Sequence, residues 1–329
     1  MPARGLLPRG EAAILHRFIT TGPTMRPIRG ILYKLVAVVA FITMSSIIKA
    51  VSGRIPPGEV VFFRSAFAVP VILVWLLYMG ELRTGLKTRR PFGHFWRGVI
   101  GTTSMGMGFA ALAFLPLPEV TAIGYAAPLL VVVFAALFLG EEVRLFRFTA
   151  VLVGLVGVVI VLSPRLTIGS NLEHAQALGA MLALMGAVCA ALAQVTVRRL
   201  IATEKTATIV FWFMVTATVL SLFTLPYGWV LPSLTEFAFL VLIGLLGGVG
   251  QIFLTSSYRE ADASLVAPFD YASILLALAI GYWVFDEVPT GTMLTGASIV
   301  VGAGILIIWR ERQLGLERTR QRKAMTPQG

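Results

Sequence analysis

Charge is scarce in this chain. Only 13% of its 329 residues are Asp, Glu, Lys or Arg, while 57% are hydrophobic and the mean hydropathy is +0.86. Soluble domains carry roughly a quarter charged residues, so this chain cannot cover a water-facing surface. Cysteine is scarcer still. Cys189 stands alone inside an apolar run, which excludes an intrachain disulfide and a thiolate metal cluster. His16, His94 and His174 lie in separate flanks, so a histidine-held metal is not expected. No Walker loop occurs. Gly244-Leu-Leu-Gly-Gly-Val-Gly250 sits within an apolar run rather than between a strand and a helix, so it reads as close helix packing and not as a dinucleotide loop. Neither a cofactor nor a metal is expected.

What the chain does have is long apolar runs. Ten of them, near residues 31–51, 58–79, 94–114, 120–139, 147–163, 175–197, 207–226, 234–256, 263–284 and 291–309, come close to crossing a bilayer, for which roughly 20 residues are needed. Lipid requires every backbone group to be satisfied within its segment, and the alternation of a barrel strand is absent, so the runs are expected to be helices. The expected fold is an all-α integral membrane protein with ten transmembrane helices.

The formal net charge of +11 does not point to nucleic acid, because the cations sit in short loops and tails beside the apolar runs. With the N-terminus inside, 23 Lys and Arg fall on the inner side and only Lys49, Arg54, Arg64 and Arg165 on the outer. That asymmetry predicts both termini in the cytoplasm and an even number of spans; the expected location is a bacterial inner (plasma) membrane. Residues 1–30 read as a cytoplasmic tail without the apolar core of a cleavable signal, and Met25 leaves open whether 1–24 belong to the native protein. Residues 310–329 form a basic tail suited to the anionic inner leaflet.

The chain also repeats itself. Thr121-Ala-Ile-Gly-Tyr-Ala-Ala-Pro128 runs on to Phe138-Leu-Gly-Glu-Glu142-Val143, and Val266-Ala-Pro-Phe-Asp270-Tyr-Ala-Ser273 runs on to Trp283-Val-Phe-Asp-Glu287-Val288. An offset of 145 aligns Ala122 with Ala267, Glu142 with Glu287 and Gly157 with Gly302. Arg144 and Arg147 flank the first corner, whereas no cation lies near the second, so the copies are expected to face opposite ways. Repeat one is placed at 31–163, an outer connecting loop at 164–174 and repeat two at 175–309.

The duplicated acidic-Glu-Val corners, Glu59-Val-Val-Phe-Phe-Arg64 and Ala111-Leu112 leading to Pro116 resemble the drug/metabolite transporter superfamily, specifically proteins with two tandem EamA-type domains. The resemblance covers roughly 31–309. It implies two inverted five-helix repeats around a central cavity lined by the first four spans of each, with the fifth at the rear or at a dimer contact. It implies secondary transport of a small organic molecule by alternating access, as a monomer or homodimer. The family moves amino acids, nucleoside-like metabolites, S-adenosylmethionine, vitamins such as riboflavin, and drugs. The aromatic supply favours a planar metabolite, riboflavin first, with an amino acid or S-adenosylmethionine as alternatives. The chain departs from the family in placing Ser273 where the first copy has Pro128, and in carrying Asp270 well inside a span. A membrane-embedded enzyme is the rival class. No His-Glu-x-x-His, facing aspartates or nucleophile with a base supports it.

Ionisable groups within lipid mark the candidate site. Asp270 is placed to bind a substrate amine, pair with Arg64 or Lys49, or carry a coupling proton. Lys49 either snorkels to the outer headgroups or joins the site, and Arg64 either ties helices together or joins it. Gln194 aligns with Lys49 across the repeat, and Gln251 with Thr255 forms a further polar stripe. Thr102, Thr103 and Ser104 either line the cavity or bond to the preceding turn. Of the aromatics, Tyr125, Tyr271 and Trp212 are the candidates for stacking a ligand. Pro128 and Pro268 remove backbone donors near mid-span and are expected to interrupt their helices.

Overall fold

The computed structural model describes residues 27–140, 145–165, 171–201, 203–261 and 263–325. Among them every regular element is helical: α1 (Pro27–Val51), α2 (Pro57–Tyr78), α3 (Leu82–Gly85), α4 (Pro91–Ala111), α5 (Leu117–Gly124), α6 (Ala126–Leu139), α7 (Leu145–Leu162), α8 (Asn171–Ile201), α9 (Thr206–Leu222), α10 (Leu234–Glu260), α11 (Ala263–Val266), α12 (Ala272–Phe285) and α13 (Gly291–Met325). Short 3-10 turns cover Ser163–Arg165, Leu225–Tyr227 and Ala267–Tyr271. Eight helices are long and apolar enough to cross a membrane, counting Leu117–Leu139 and Ala267–Phe285 as one each. The other two expected spans are α4 and α9, of 21 and 17 residues. α4 is more polar, carrying His94, Arg97, Thr102, Thr103 and Ser104. Its buried face includes His94 and Gly98, while Thr103 lies on the exposed side.

Lipid-side character is plain on the surface, where Val74, Leu77, Val153, Val156, Leu275 and Trp283 stand exposed. Inside, helices approach through glycines. A Cβ on Gly157 would come within 2.8 Å of the Gly296 carbonyl, which is how α7 and α13 pack backbone to backbone. α10 packs on α2 through Gly248, where a Cβ would lie 2.9 Å from Val71, and through Gly244 against Phe67. Gly98 and Gly101 of α4 are likewise packed, whereas Gly106 and Gly108 face open space.

The pairing of helices has a regularity. α1 lies on α10 as α8 lies on α4; α2 lies on α10 as α9 lies on α4; α2 meets α9, and α7 meets α13. Exchanging the two halves of the chain leaves these pairings unchanged. Side chains repeat the exchange. Glu59 at the start of α2 accepts the Val230 N–H at 3.1 Å. Glu204, 145 residues on and just ahead of α9, accepts the N–H groups of Arg89 and Arg90 at 2.6 and 3.0 Å and the Thr88 hydroxyl at 2.9 Å. Each half thus caps a connecting loop of the other.

Candidate functional site

Two interrupted helices build the centre. Pro128 has no N–H to offer the Gly124 carbonyl one turn back, and the helix breaks at Tyr125, which ends α5 and opens α6. Pro268 does the same to the Ser264 carbonyl. There α11 gives way to a 3-10 segment that ends at Tyr271, where α12 begins. α6 and α12 are each 14 residues long, and each closes on a left-handed residue, Gly140 and Asp286. The structural register of these helices is therefore 146, one residue longer than the offset of 145 that aligns Glu142 with Glu287. The first corner itself, with Glu142 and Arg144, lies outside the described residues.

At register 146 the two break residues are both tyrosines, and they touch. Their rings lie 4.9 Å apart at 56°. The Tyr125 hydroxyl donates to the Asp270 carbonyl at 2.9 Å and meets the Ser273 hydroxyl, which itself donates to that carbonyl at 2.7 Å. The Tyr271 hydroxyl rests against Gly304 of α13, in the space a Cβ would occupy. Both rings are buried and belong to one apolar cluster with Ala122, Ala126, Ile274 and Val300. The break in one half is thus bonded to the break in the other.

Asp270 pairs with neither Arg64 nor Lys49, contrary to the sequence expectation. Its Oδ1 lies 2.8 Å from Nζ of Lys34, a residue of α1 and one of the cations assigned to the inner side. The pair is lopsided: the Lys34 side chain is 1% exposed and that of Asp270 45%. Lys49 does not snorkel freely. Its Nζ lies 2.7 Å from Glu287 Oε1 and donates to the Leu115 carbonyl at 2.7 Å, with both side chains about one-seventh exposed (15% and 14%). Glu287 also accepts the Leu117 N–H at 2.9 Å, and so holds the start of α5. Glu287 was visible as part of the repeated corner, but its lysine partner was not.

The remaining candidates scatter. Arg64 is buried and donates to Met214 Sδ at 3.2 Å. Trp212 sits toward the α3 end of α9, donating to the Leu86 carbonyl at 3.2 Å with its ring 6.5 Å from that of His94, away from the tyrosines. Thr103 and Gln194 are exposed on their helices. Gln251 is half-buried, and Thr255 donates back to its carbonyl at 2.8 Å instead of extending a polar stripe. Ser104 reaches across to the Gly186 carbonyl of α8 at 2.7 Å, not to its own preceding turn. Arg97, counted among inner-side cations, is drawn into the bundle with its guanidinium 4.0 Å above the Phe213 ring.

The model of the EamA-like transporter family matches residues 28–163 and again 177–309. The chain belongs to that family. Among curated proteins this EamA-like chain is similar to the pseudopaline exporter CntI of Pseudomonas aeruginosa, 31% identical over 279 residues, which are 84% of this chain and 95% of that protein. It is similar to the S-adenosylmethionine uptake transporter of Rickettsia conorii, 28% identical over 289 residues (86% and 94%). A riboflavin transporter of Rhizobium johnstonii is 28% identical over 289 residues (87% and 93%). A solved crystal structure shares the fold at a TM-score of 0.62 and 22% identity, over 86% of this chain and 98% of that one. The EamA-like chain is a multi-pass integral membrane protein and a transporter of a small molecule.

Proposed function

We propose that the chain is a secondary transporter made of two inverted repeats of five spans, that both termini lie on the cytoplasmic side of a bacterial inner membrane, and that the halves rock about the Tyr125–Tyr271 crossing. The observation that carries this is the crossing itself, where two broken helices from different halves bond to each other within their spans. Broken helices meeting between repeats are the usual seat of a transporter's substrate site. The unchanged pairing on exchange of halves supports a twofold relation. Five alternating spans then invert the second copy.

Polar contacts at helix ends support the same ten-span threading. Lys49–Glu287, Arg54–Glu236 at 2.8 Å and Arg165–Glu119 at 2.6 Å each join groups that the threading puts outside. Arg199 to the Phe138 carbonyl at 2.6 Å, Arg29–Glu260 at 3.9 Å and the Glu204 contacts join groups that it puts inside.

The two lysine pairs suggest the working cycle. Lys49–Glu287 shuts the outer end, while the exposed Asp270 opens toward the inner side. A proton on Asp270 would cancel its attraction to Lys34 and loosen α1 from the ninth span at that end. The cargo is a small planar metabolite, with riboflavin first in line and S-adenosylmethionine or an aromatic amino acid next. Uptake of these three by reconstituted vesicles tests the reading. Asp270→Asn is expected to abolish pH-coupled uptake at near-normal protein levels, and uptake with unchanged pH dependence would remove the proton role. Tags at residue 170 and at the C-terminus are expected on opposite faces; the same face would end the inverted arrangement.

A further inference from the structure

Two guanidinium groups in the bundle have no counter-charge among the described residues. Arg64 comes from α2 and Arg97 from α4, and they converge on neighbouring residues of α9, Met214 and Phe213. α2, α4 and α9 pack on one another there. Nε of Arg64, and Nε and Nη1 of Arg97, are buried without a hydrogen-bond acceptor. Among the described residues no carboxylate lies within ion-pair distance of either. Glu204 lies 3.9 Å from His94, one turn before Arg97, but is already engaged by Thr88, Arg89 and Arg90. The fold makes room for both groups. A Cβ on Gly247 would come within 3.1 Å of Arg64 Nε, and one on Gly101 would collide with Arg97 Nη1.

Burying one unpaired charge costs several kcal/mol, and burying two costs more. A site that serves only packing gains nothing from this, since apolar residues of the same volume would fill it at no such cost. The arrangement makes sense if an anion completes it during part of the cycle, because guanidinium forks bind carboxylate and phosphate with two parallel hydrogen bonds. Met214 now takes an N–H of the Arg64 fork and the Phe213 ring covers the Arg97 fork, and movement of α9 relative to α2 and α4 would free them.

We infer that Arg64 and Arg97 form an anion subsite of the transport pathway that receives the carboxylate or phosphate of the cargo. This rests on the transporter reading and narrows it: the cargo is anionic or zwitterionic, with its charged end at the arginines.

The test is binding to the full-length protein in detergent, read by ligand-induced rise in melting temperature, with matched probes. These are tryptophan against tryptophanamide, S-adenosylmethionine against its decarboxylated form, and flavin mononucleotide against riboflavin. At least one anion-bearing member is expected to bind about tenfold or more tightly than its partner. Arg64→Gln and Arg97→Gln are expected to erase that preference, while Arg64→Lys keeps part of it. Without ligand, both Gln variants are expected to melt no lower than the parent, because they remove a buried charge. No anion preference in any pair overturns the subsite. A lower ligand-free melting temperature with the preference intact also overturns it, by making the arginines packing groups. Arginine-dependent anion binding without uptake into vesicles keeps the subsite and removes the transport reading instead.

Discussion

α1 carries two lysines, and each meets an acid of the interrupted ninth span, yet the two pairs are built differently. Lys49 and Glu287 shelter each other and bring in the Leu115 carbonyl and the Leu117 N–H. Lys34 is fully buried while its partner Asp270 stays open. The sheltered pair ties α1 to the start of α5 and to the segments that follow α4 and α12, and behaves as a clasp. In the lopsided pair the ammonium is buried in the bundle and anchors α1, while the carboxylate is only partly covered. The same two residue types thus make a lock at one end and a half-covered pair at the other, and what separates them is how far the protein covers each acid.

Substitutions can break that comparison. Glu287→Gln should have the largest effect. It strips Lys49 of its partner and weakens the hold on α5, at a cost of about 3 kcal/mol, seen as a lower melting temperature and as new thiol labelling at a cysteine placed on Gly53. Asp270→Asn should cost about 1–2 kcal/mol, because the protein covers that carboxylate only in part. If it costs more than Glu287→Gln, the two pairs do not differ in kind. Gly304→Ala pushes a methyl into the Tyr271 hydroxyl and should cost about 1–3 kcal/mol by overpacking. Uptake should fall with it, and unchanged uptake would detach the tyrosine crossing from transport.

Smaller effects test the loops. Burial raises the Glu204 carboxyl, but the Arg89 N–H, the Thr88 hydroxyl, the Arg90 N–H and nearby His94 outweigh it and leave it below the usual carboxylate range. A depressed folded value means that its contribution is complete above the unfolded value, near 4.3, and is lost as the pH falls through the lower folded one. Glu204→Gln should therefore flatten the acid limb of stability below about pH 4.3, as read by melting temperature against pH. Asp286 ends α12 at φ 53, a left-handed position that favours glycine. Asp286→Gly should stabilise by about 0.5–1 kcal/mol, the mildest change of the set and opposite in sign.

Much of this was legible in the residues. Apolar runs of bilayer length fixed the helical class, because lipid offers backbone groups no other partner. Pro128 and Pro268 marked the two interruptions, since a missing N–H is a local property. The site was harder to read. Lys34 lies only a few residues inside α1 and is indistinguishable in sequence from the cations of the preceding tail. Arg97 follows Trp96 in what reads as an inner flank, and only its packing over Phe213 shows that it turns inward. Trp212 satisfied the aromatic criterion but points to the α3 end, because helix rotation is not readable from an apolar run without a strong polar face.

The amino-acid order alone determined that this chain lives in lipid, that it is helical, that its helices break where proline falls, and that it says nearly the same thing twice. Those properties depend on neighbours within a turn or two, or on composition. Which acid each lysine meets, that Tyr125 finds Tyr271 one residue off the repeat offset, and that Arg64 and Arg97 share a buried place without a counter-ion were decided only by the tertiary structure. Charges in a low-dielectric interior interact through space, over separations along the chain that no local pattern records.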